Sequence, residues 1–215
     1  MNVYLDHAAT SPMPAEVIEA YVSALAVVGN PSSIHTQGQT AKRMLEEARE
    51  AVAAAVGAEP IEVTFTSGGT EAINLALKGL WWARTSPVIE PVEIHGTVST
   101  GSTTGQRILS TRAEHHATID ALEWLERHEG AVIEWIPVDS VGRIHLAALE
   151  AALGPDVALV TTLWANNEEG TVQPVAEIVA RAAVHGVPVH ADAVSARGQL
   201  PIDFLPDPGV DDALQ

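Results

Sequence analysis

The chain has 215 residues, 47% hydrophobic and 18% charged, which excludes a disordered chain and is ample for one domain with a buried core. Lys and Arg number 11 against 28 Asp and Glu, and the net charge of −17 argues against nucleic acid and against an anionic membrane surface as partners. No cysteine is present, so disulfides, zinc–thiolate sites and a cysteine nucleophile are excluded within these residues. No run of about 18 apolar residues marks a membrane span. The opening Met1-Asn2-Val3-Tyr4-Leu5-Asp6 lacks the basic and apolar regions of a secretory leader, so the expected location is the cytoplasm.

Pro14 followed by Ala15–Val28 predicts a helix with proline at its first turn. Gly29-Asn30-Pro31-Ser32-Ser33 breaks the chain. Thr36–Val56 reads as a long amphipathic helix, with Ala41, Met44, Leu45, Ala48, Val52 and Val56 at i, i+3, i+4 spacing. Glu62–Thr66 reads as a short strand that enters Ser67-Gly68-Gly69-Thr70, and Glu71–Trp82 as the next helix. Residues 85–105 are rich in Ser, Thr, Gly and Pro and lack a period, which predicts a loop or insertion.

Beyond it the pattern predicts a strand at Arg107–Thr111, a helix at Thr118–Glu129, a strand at Val132–Val138 and a short helix at Leu146–Leu153. Val157–Leu163 is a continuous apolar run, the signature of a parallel strand buried on both faces. A helix at Val175–Ala183 and a strand at Val187–Ala191 complete the order. This alternation predicts an α/β fold with a mostly parallel sheet and flanking helices. Residues 205–215 hold two prolines and no period, so they do not read as a closing element; the expectation is a chain cut short.

Four places carry chemistry. In Thr66-Ser67-Gly68-Gly69-Thr70-Glu71-Ala72 glycines turn the chain into a helix, whose free N–H groups suit an anion such as phosphate; the same residues suit a plain turn with Thr70 as the cap. No Gly-Lys-Ser/Thr follows, so it is not a Walker loop. His190-Ala191-Asp192 ends a buried strand, where Asp192 suits a pyridinium nitrogen or caps the next turn. Glu114-His115-His116 also follows a strand; adjacent residues of an extended chain point to opposite sides, which argues against a shared metal. Asn166-Asn167-Glu168-Glu169-Gly170 offers amide donors or an ordinary Asn/Gly turn. All four follow expected strand ends, which converge on one crevice in an open α/β sheet. An anion cradle, an aspartate, an imidazole and an amide together suit a phosphorylated heteroaromatic cofactor.

These motifs resemble, in order, those of the cysteine desulfurases, class V aminotransferase-like enzymes that use pyridoxal 5'-phosphate. The resemblance rests on Tyr4-Leu5-Asp6-His7-Ala8-Ala9-Thr10, Gly29-Asn30-Pro31-Ser32-Ser33-Ile34-His35, Phe65-Thr66-Ser67-Gly68-Gly69-Thr70-Glu71-Ala72-Ile73-Asn74, Glu114-His115-His116-Ala117, Asn166-Asn167-Glu168-Glu169-Gly170-Thr171-Val172-Gln173-Pro174 and His190-Ala191-Asp192-Ala193. It implies the type I PLP-dependent transferase fold, of which these residues resemble the N-terminal half. Residues 1–14 would belong to the small-domain side, 15–204 to a partial cofactor-binding large domain with an insertion at 85–105, and 205–215 to an irregular tail.

By the same resemblance Gly69 and Thr70 would hold the cofactor phosphate, His115 would stack on the pyridine ring as a catalytic residue, Asn167 would face the ring hydroxyl, and Asp192 would pair with the ring nitrogen. Ser195 stands where the family usually has Gln, and Glu169 where it usually has an apolar residue. The family's Schiff-base lysine, persulfide cysteine and substrate-carboxylate arginine are not found in these residues. Of the two lysines, Lys42 lies on a polar helix face, and Lys78 lies about 12 Å beyond the phosphate end of its helix at 1.5 Å per residue. The implied activity converts L-cysteine to L-alanine and passes sulfur to an acceptor protein for iron–sulfur or thio-cofactor synthesis, in a homodimer or a pairing with a homologue. Alternatives are a non-catalytic remnant or binding subunit, and a selenocysteine lyase or kynureninase-like PLP lyase. The isolated chain is expected to be inactive.

Overall fold

The computed structural model describes residues 3–85 and 105–202. The body of the expected insertion at 85–105 and the expected tail at 205–215 lie outside the described residues. Two compact units divide the chain, one of residues 3–65 with 200–202 and one of Thr66–Gln199.

The first unit carries two helices. α1 (Ala15–Leu25) starts after Pro14 and ends three residues before the expected Val28. Its apolar residues Val17, Ile18, Tyr21, Val22 and Leu25 share one face, and all are exposed. α2 (Thr36–Ala55) is capped by His35, whose Nδ1 accepts the Gly38 N–H at 3.3 Å. Gly38 permits a close approach: a Cβ there would stand 2.8 Å from the Asn30 carbonyl oxygen and 2.7 Å from the Ser33 Cβ. The Asn30–Ser33 turn thus folds onto the first turn of α2, tightened by the Ser32 N–H donating to Asn30 Oδ1 at 2.9 Å.

The strand expected at Glu62–Thr66 is not formed. Pro60–Glu62 makes a 3-10 turn instead, closed by the Glu59 N–H donating to Glu62 Oε2 at 2.8 Å. Residues 63–66 have no ladder partner among the described residues. A β-rich run without a neighbouring strand has nowhere to place its backbone hydrogen bonds as a ladder. Here Arg49 takes the Val63 carbonyl, and its guanidinium lies 5.0 Å from the Phe65 ring centroid.

The second unit is a layered α/β structure. Its elements run α3 (Gly69–Thr85), β1 (Arg107–Ser110), α4 (His116–Glu129), β2 (Val132–Trp135), α5 (Leu146–Ala152), β3 (Val157–Leu163), α6 (Val175–Val184) and β4 (Val189–Asp192). The four strands are all parallel, in the order β2-β1-β3-β4. All seven residues of β3 are buried. One core cluster joins Ile73, Leu77 and Trp81 of α3 to Leu122 and Leu125 of α4 and to Ile108 and Leu159 of the sheet. Another joins Leu149 of α5 and Ile178 of α6 to Leu109, Val157 and Val160. Gly130, at φ 72°, ends α4 in the left-handed conformation that favours glycine.

Arg107 fastens the N-terminal edge of the sheet. Its Nε lies 2.6 Å from Asp156 Oδ2, its Nη2 donates to the Ala152 carbonyl at 2.9 Å, and its Nη1 pairs with Glu134. These bonds raise its already high pKa further, Asp156 contributing most.

The burial of β3 sets a stability test. Leu159→Ala is expected to cost about 2–5 kcal/mol in urea unfolding, while Val132→Thr on the edge strand stays within about 0.5 kcal/mol. Equal losses at the two positions would contradict a sheet centred on β3.

Candidate functional site

The strand order sets where the site lies. From β1 the chain moves outward to β2, then returns to the other side of β1 for β3 and continues outward to β4. The connections leaving β1 and β3 therefore diverge, and in open α/β sheets such a reversal makes a ligand crevice at the carboxyl ends of the strands. The loops at those ends hold Glu114 and His115 after β1, Asn166 and Asn167 after β3, and Val194 and Ser195 after β4. The fourth expected strand end, before Gly69, belongs to no ladder among the described residues.

Asp192 closes β4 and is half-buried. Its Oδ1 accepts the Val194 N–H at 3.0 Å, and its carbonyl accepts the Trp164 N–H at 2.8 Å. Among the described residues Oδ2 takes no hydrogen bond, so Asp192 caps its turn with one oxygen only. The same turn meets the start of α3: a Cβ on Gly69 would stand 3.0 Å from Val194 Cγ2. Glycine at 69 lets the two segments touch, so the helix N-terminus and the carboxylate share a neighbourhood. Ser195 is half-buried in this turn.

Gly69 opens α3, and Thr70 is therefore inside its first turn rather than its cap. The first N–H groups of a helix have no partner within it and suit an anion. Glu71 stands in this turn with its carboxylate bound by the Ser67 N–H at 2.7 Å and the Ser67 hydroxyl at 2.6 Å. The two bonds from Ser67, hydroxyl and then amide, hold its pKa below the ordinary value.

His115 is half-buried and caps α4, its Nδ1 accepting the Ala117 N–H at 3.1 Å. In the neutral ring the proton is then on Nε2. His116 does not point to the opposite side as an extended chain would require. The two ring centroids are 3.9 Å apart at 38°, because His115 caps the helix and His116 is its first residue. Among the described residues no group of three or more His, Asp and Glu is arranged to hold a metal.

The two adjacent asparagines differ. Asn166 is structural: Nδ2 donates to the Ala113 carbonyl at 3.0 Å, and Oδ1 accepts the N–H groups of Glu168 at 2.7 Å and Glu169 at 2.9 Å. It ties the β3 loop to the loop that carries His115. Asn167 is exposed. Gln173 is buried, with its amide holding the backbone of Gly142 and Ile144 at 2.7 and 2.9 Å.

Of the two lysines, Lys78 lies in the second unit and Lys42 in the first. Lys78 Nζ lies 4.1 Å from the Trp124 ring centroid, a cation–π contact on α4. Lys42 is exposed on α2 in the first unit. Sequence reasoning passed over Glu114 as a site residue. It is buried beside His115, and its only sequence signal is an acid directly after a strand. The assembled groups offer amides for an anion, a carboxylate for a cationic ring nitrogen and an imidazole with an Nε2 donor. Among the described residues no helix is long and apolar enough to cross a membrane.

The aminotransferase class-V family matches residues 3–211. An IscS-like cysteine desulfurase of Mycobacterium tuberculosis is 48% identical over 203 residues, covering 94% of this chain and 48% of the relative. A putative cysteine desulfurase of Bacillus subtilis is 42% identical over 203 residues, covering 94% and 49%. A solved NifS-like protein superposes with a TM-score of 0.82 at 32% identity, over 95% of this chain and 52% of its own. A structure described as SspA in complex with cysteine gives 0.80 at 31%, over 93% and 53%. The chain spans about half the length of the curated relatives it matches. With nearly its whole length matched, and with the parallel sheet and flanking helices those structures share, the chain belongs to the aminotransferase class-V family, among its cysteine desulfurase-like members.

Proposed function

We propose that the second unit is the cofactor-holding part of a pyridoxal 5'-phosphate-dependent cysteine desulfurase, acting on L-cysteine and passing sulfur to an acceptor protein in the cytoplasm. The observation that carries this reading is the contact between Val194 and Gly69, which brings Asp192 beside the N-terminus of α3. An anion-binding helix start next to a carboxylate with one oxygen in reserve fits a ligand with a phosphate at one end and a protonated ring nitrogen at the other. Bound there, pyridoxal phosphate supplies an electron sink for chemistry at an amino acid's carbon.

The chain's own residues perform the holding. The first-turn amides of α3, with the Thr70 hydroxyl, receive the phosphate. Asp192 keeps the proton on the ring nitrogen, fixed in direction by the Val194 N–H. His115 presents its ring from the α4 cap. Asn167 and Ser195 complete the set on the ring-oxygen side, Ser195 with a shorter reach than the glutamine usual in the family. Residues 15–204 form the large domain in this reading, with 1–14 belonging to the small-domain side. The working assembly is a homodimer or a pairing with a homologue. The names and 42–48% identity of the curated relatives support the reading.

A second reading, a non-catalytic remnant or binding subunit, is favoured by one observation. Lys78, the lysine of the helix that opens at Gly69, is engaged by the Trp124 ring.

Three outcomes check these readings. Asp192→Asn and Gly69→Ala are each expected to weaken pyridoxal phosphate binding by about tenfold in equilibrium dialysis, the loss of one charge-assisted contact or of the close approach. Unchanged affinity in both variants would remove the cofactor reading. Borohydride reduction of the mixture, followed by peptide mapping, is expected to leave Lys42 and Lys78 unmodified; a stoichiometric adduct at either would show that an unexpected lysine serves the cofactor. The isolated chain is expected to form no alanine or sulfide from cysteine, and steady release of both would exclude the remnant reading.

A further inference from the structure

Glu114 is the inward-facing acid of the loop between β1 and α4. Its neighbour Arg112 is exposed, with its guanidinium 3.9 Å from the Trp135 ring centroid. Glu114 is 7% exposed. Its Oε1 accepts the Thr111 hydroxyl at 3.2 Å, and that hydroxyl oxygen accepts the Ala113 N–H at 3.2 Å. Its Oε2 is buried without a hydrogen-bond partner at ordinary length among the described residues. A buried carboxylate oxygen left in this way is costly, so the residue is held by a role or held neutral. At the end of β3, Leu163 is in register with Asp192, and the charge of Asp192 acts on the Glu114 carboxyl.

We propose that Glu114 is a positioning residue: buried and bonded to the Thr111 hydroxyl, it anchors the loop that carries the His115 ring to the end of β1, with its second oxygen enclosed in the protein. The role rests on the reading of Asp192 as the ring-nitrogen carboxylate. Burial pushes Glu114 up to about 8, with Asp192 adding to the effect and the Leu163 amide and Thr111 hydroxyl opposing it. Raised to about 8, the Glu114 carboxyl keeps its proton at neutral pH. Two carboxylates at one site do not both ionise without cost. The other titratable groups at these strand ends are His115 and His190. His190 pairs with the Thr161 hydroxyl at 2.8 Å; burial lowers its pKa, and Asp192 opposes that shift.

The sign of the pH effect follows. An acid raised in the folded state stabilises the fold fully below its unfolded value near 4.5, and loses that contribution as pH rises to about 8. Wild type minus Glu114→Gln should therefore show a thermal midpoint difference that declines over this window and levels above it.

The test uses the full chain, with and without pyridoxal phosphate, in wild type, Glu114→Gln, Glu114→Ala and Asp192→Asn. Without the cofactor, infrared difference spectra of wild type should show the carbonyl band of a protonated carboxyl at neutral pH. The band should fade as pH passes about 8, be absent in Glu114→Gln, and fade at lower pH in Asp192→Asn. With pyridoxal phosphate, Glu114→Gln should bind within about twofold of wild type and Glu114→Ala about tenfold more weakly. Wild-type affinity should fall above pH 8, and that of Glu114→Gln should not. A carboxyl already ionised at neutral pH, or a band midpoint that Asp192→Asn leaves in place, overturns the proposal; so does Glu114→Ala binding as tightly as wild type. A band that behaves as expected in a chain that binds no pyridoxal phosphate overturns the cofactor reading and leaves the Glu114–Asp192 linkage standing.

Discussion

β3 is buried along all seven of its residues, and the rest of the second unit follows from covering it. A strand with no solvent face needs a layer on each side: α3 and α4 supply one and α5 and α6 the other. Each fully buried Val or Leu contributes about 1.5–3 kcal/mol relative to exposure, so this strand concentrates stability at the sheet's centre. Its polar members are accommodated: Thr161 pairs with His190, and the Thr162 hydroxyl donates to the Leu163 carbonyl at 3.1 Å. Parallel pairing to β1 and β4 then brings three carboxyl ends together. The site loops leave from this common floor and are tied to one another, Asn166 to Ala113 and Trp164 to Asp192.

Acidic groups near a helix start pose an electrostatic conflict for any anion that would bind there, and local hydrogen bonds resolve it. Glu71 stands in the first turn of α3, where a free carboxylate would compete with an incoming anion for the same amides. Ser67 holds that carboxylate with both its amide and its hydroxyl, directing it back along the chain. Asp192 is directed by the Val194 N–H. Glu114, buried in the loop between β1 and α4, is raised toward neutrality instead. Three acids of one chemical type thus stand in three states of restraint, set by exposure and by the donors around each.

How much of this was legible in the sequence varies with the kind of information needed. The apolar run Val157–Leu163 announced a doubly buried strand because its periodicity is local, and both its ends agree with the structure. The long helix from Thr36 was legible for the same reason. Glu62–Thr66 failed because a strand is a property of a pair, and no partner meets it among the described residues. The opposed orientation expected of His115 and His116 failed because the helix begins at His116, two residues before the expected Thr118. Glycine at 69 could be read as a close approach, but only the fold shows that Val194 is what approaches. Burial of Glu114 and the structural duty of Asn166 depend on contacts across 53 and fewer residues of chain, which no local pattern encodes.

The charge of the whole chain sharpens what the site must do. At a net −17, the long-range field repels a phosphate before any specific contact forms. Within about 8–10 Å at physiological salt that field is screened, and the short-range donors decide. A simple anion would meet the α3 amides but also the Asp192 carboxylate beside them; a simple cation would satisfy Asp192 and leave the amides without a partner. A ligand with negative charge at one end and a protonated nitrogen at the other meets both in one pose. The Val194–Gly69 contact therefore favours, in the proposed reading, a bipolar ligand, because it sets the two kinds of group side by side and only such a ligand meets both.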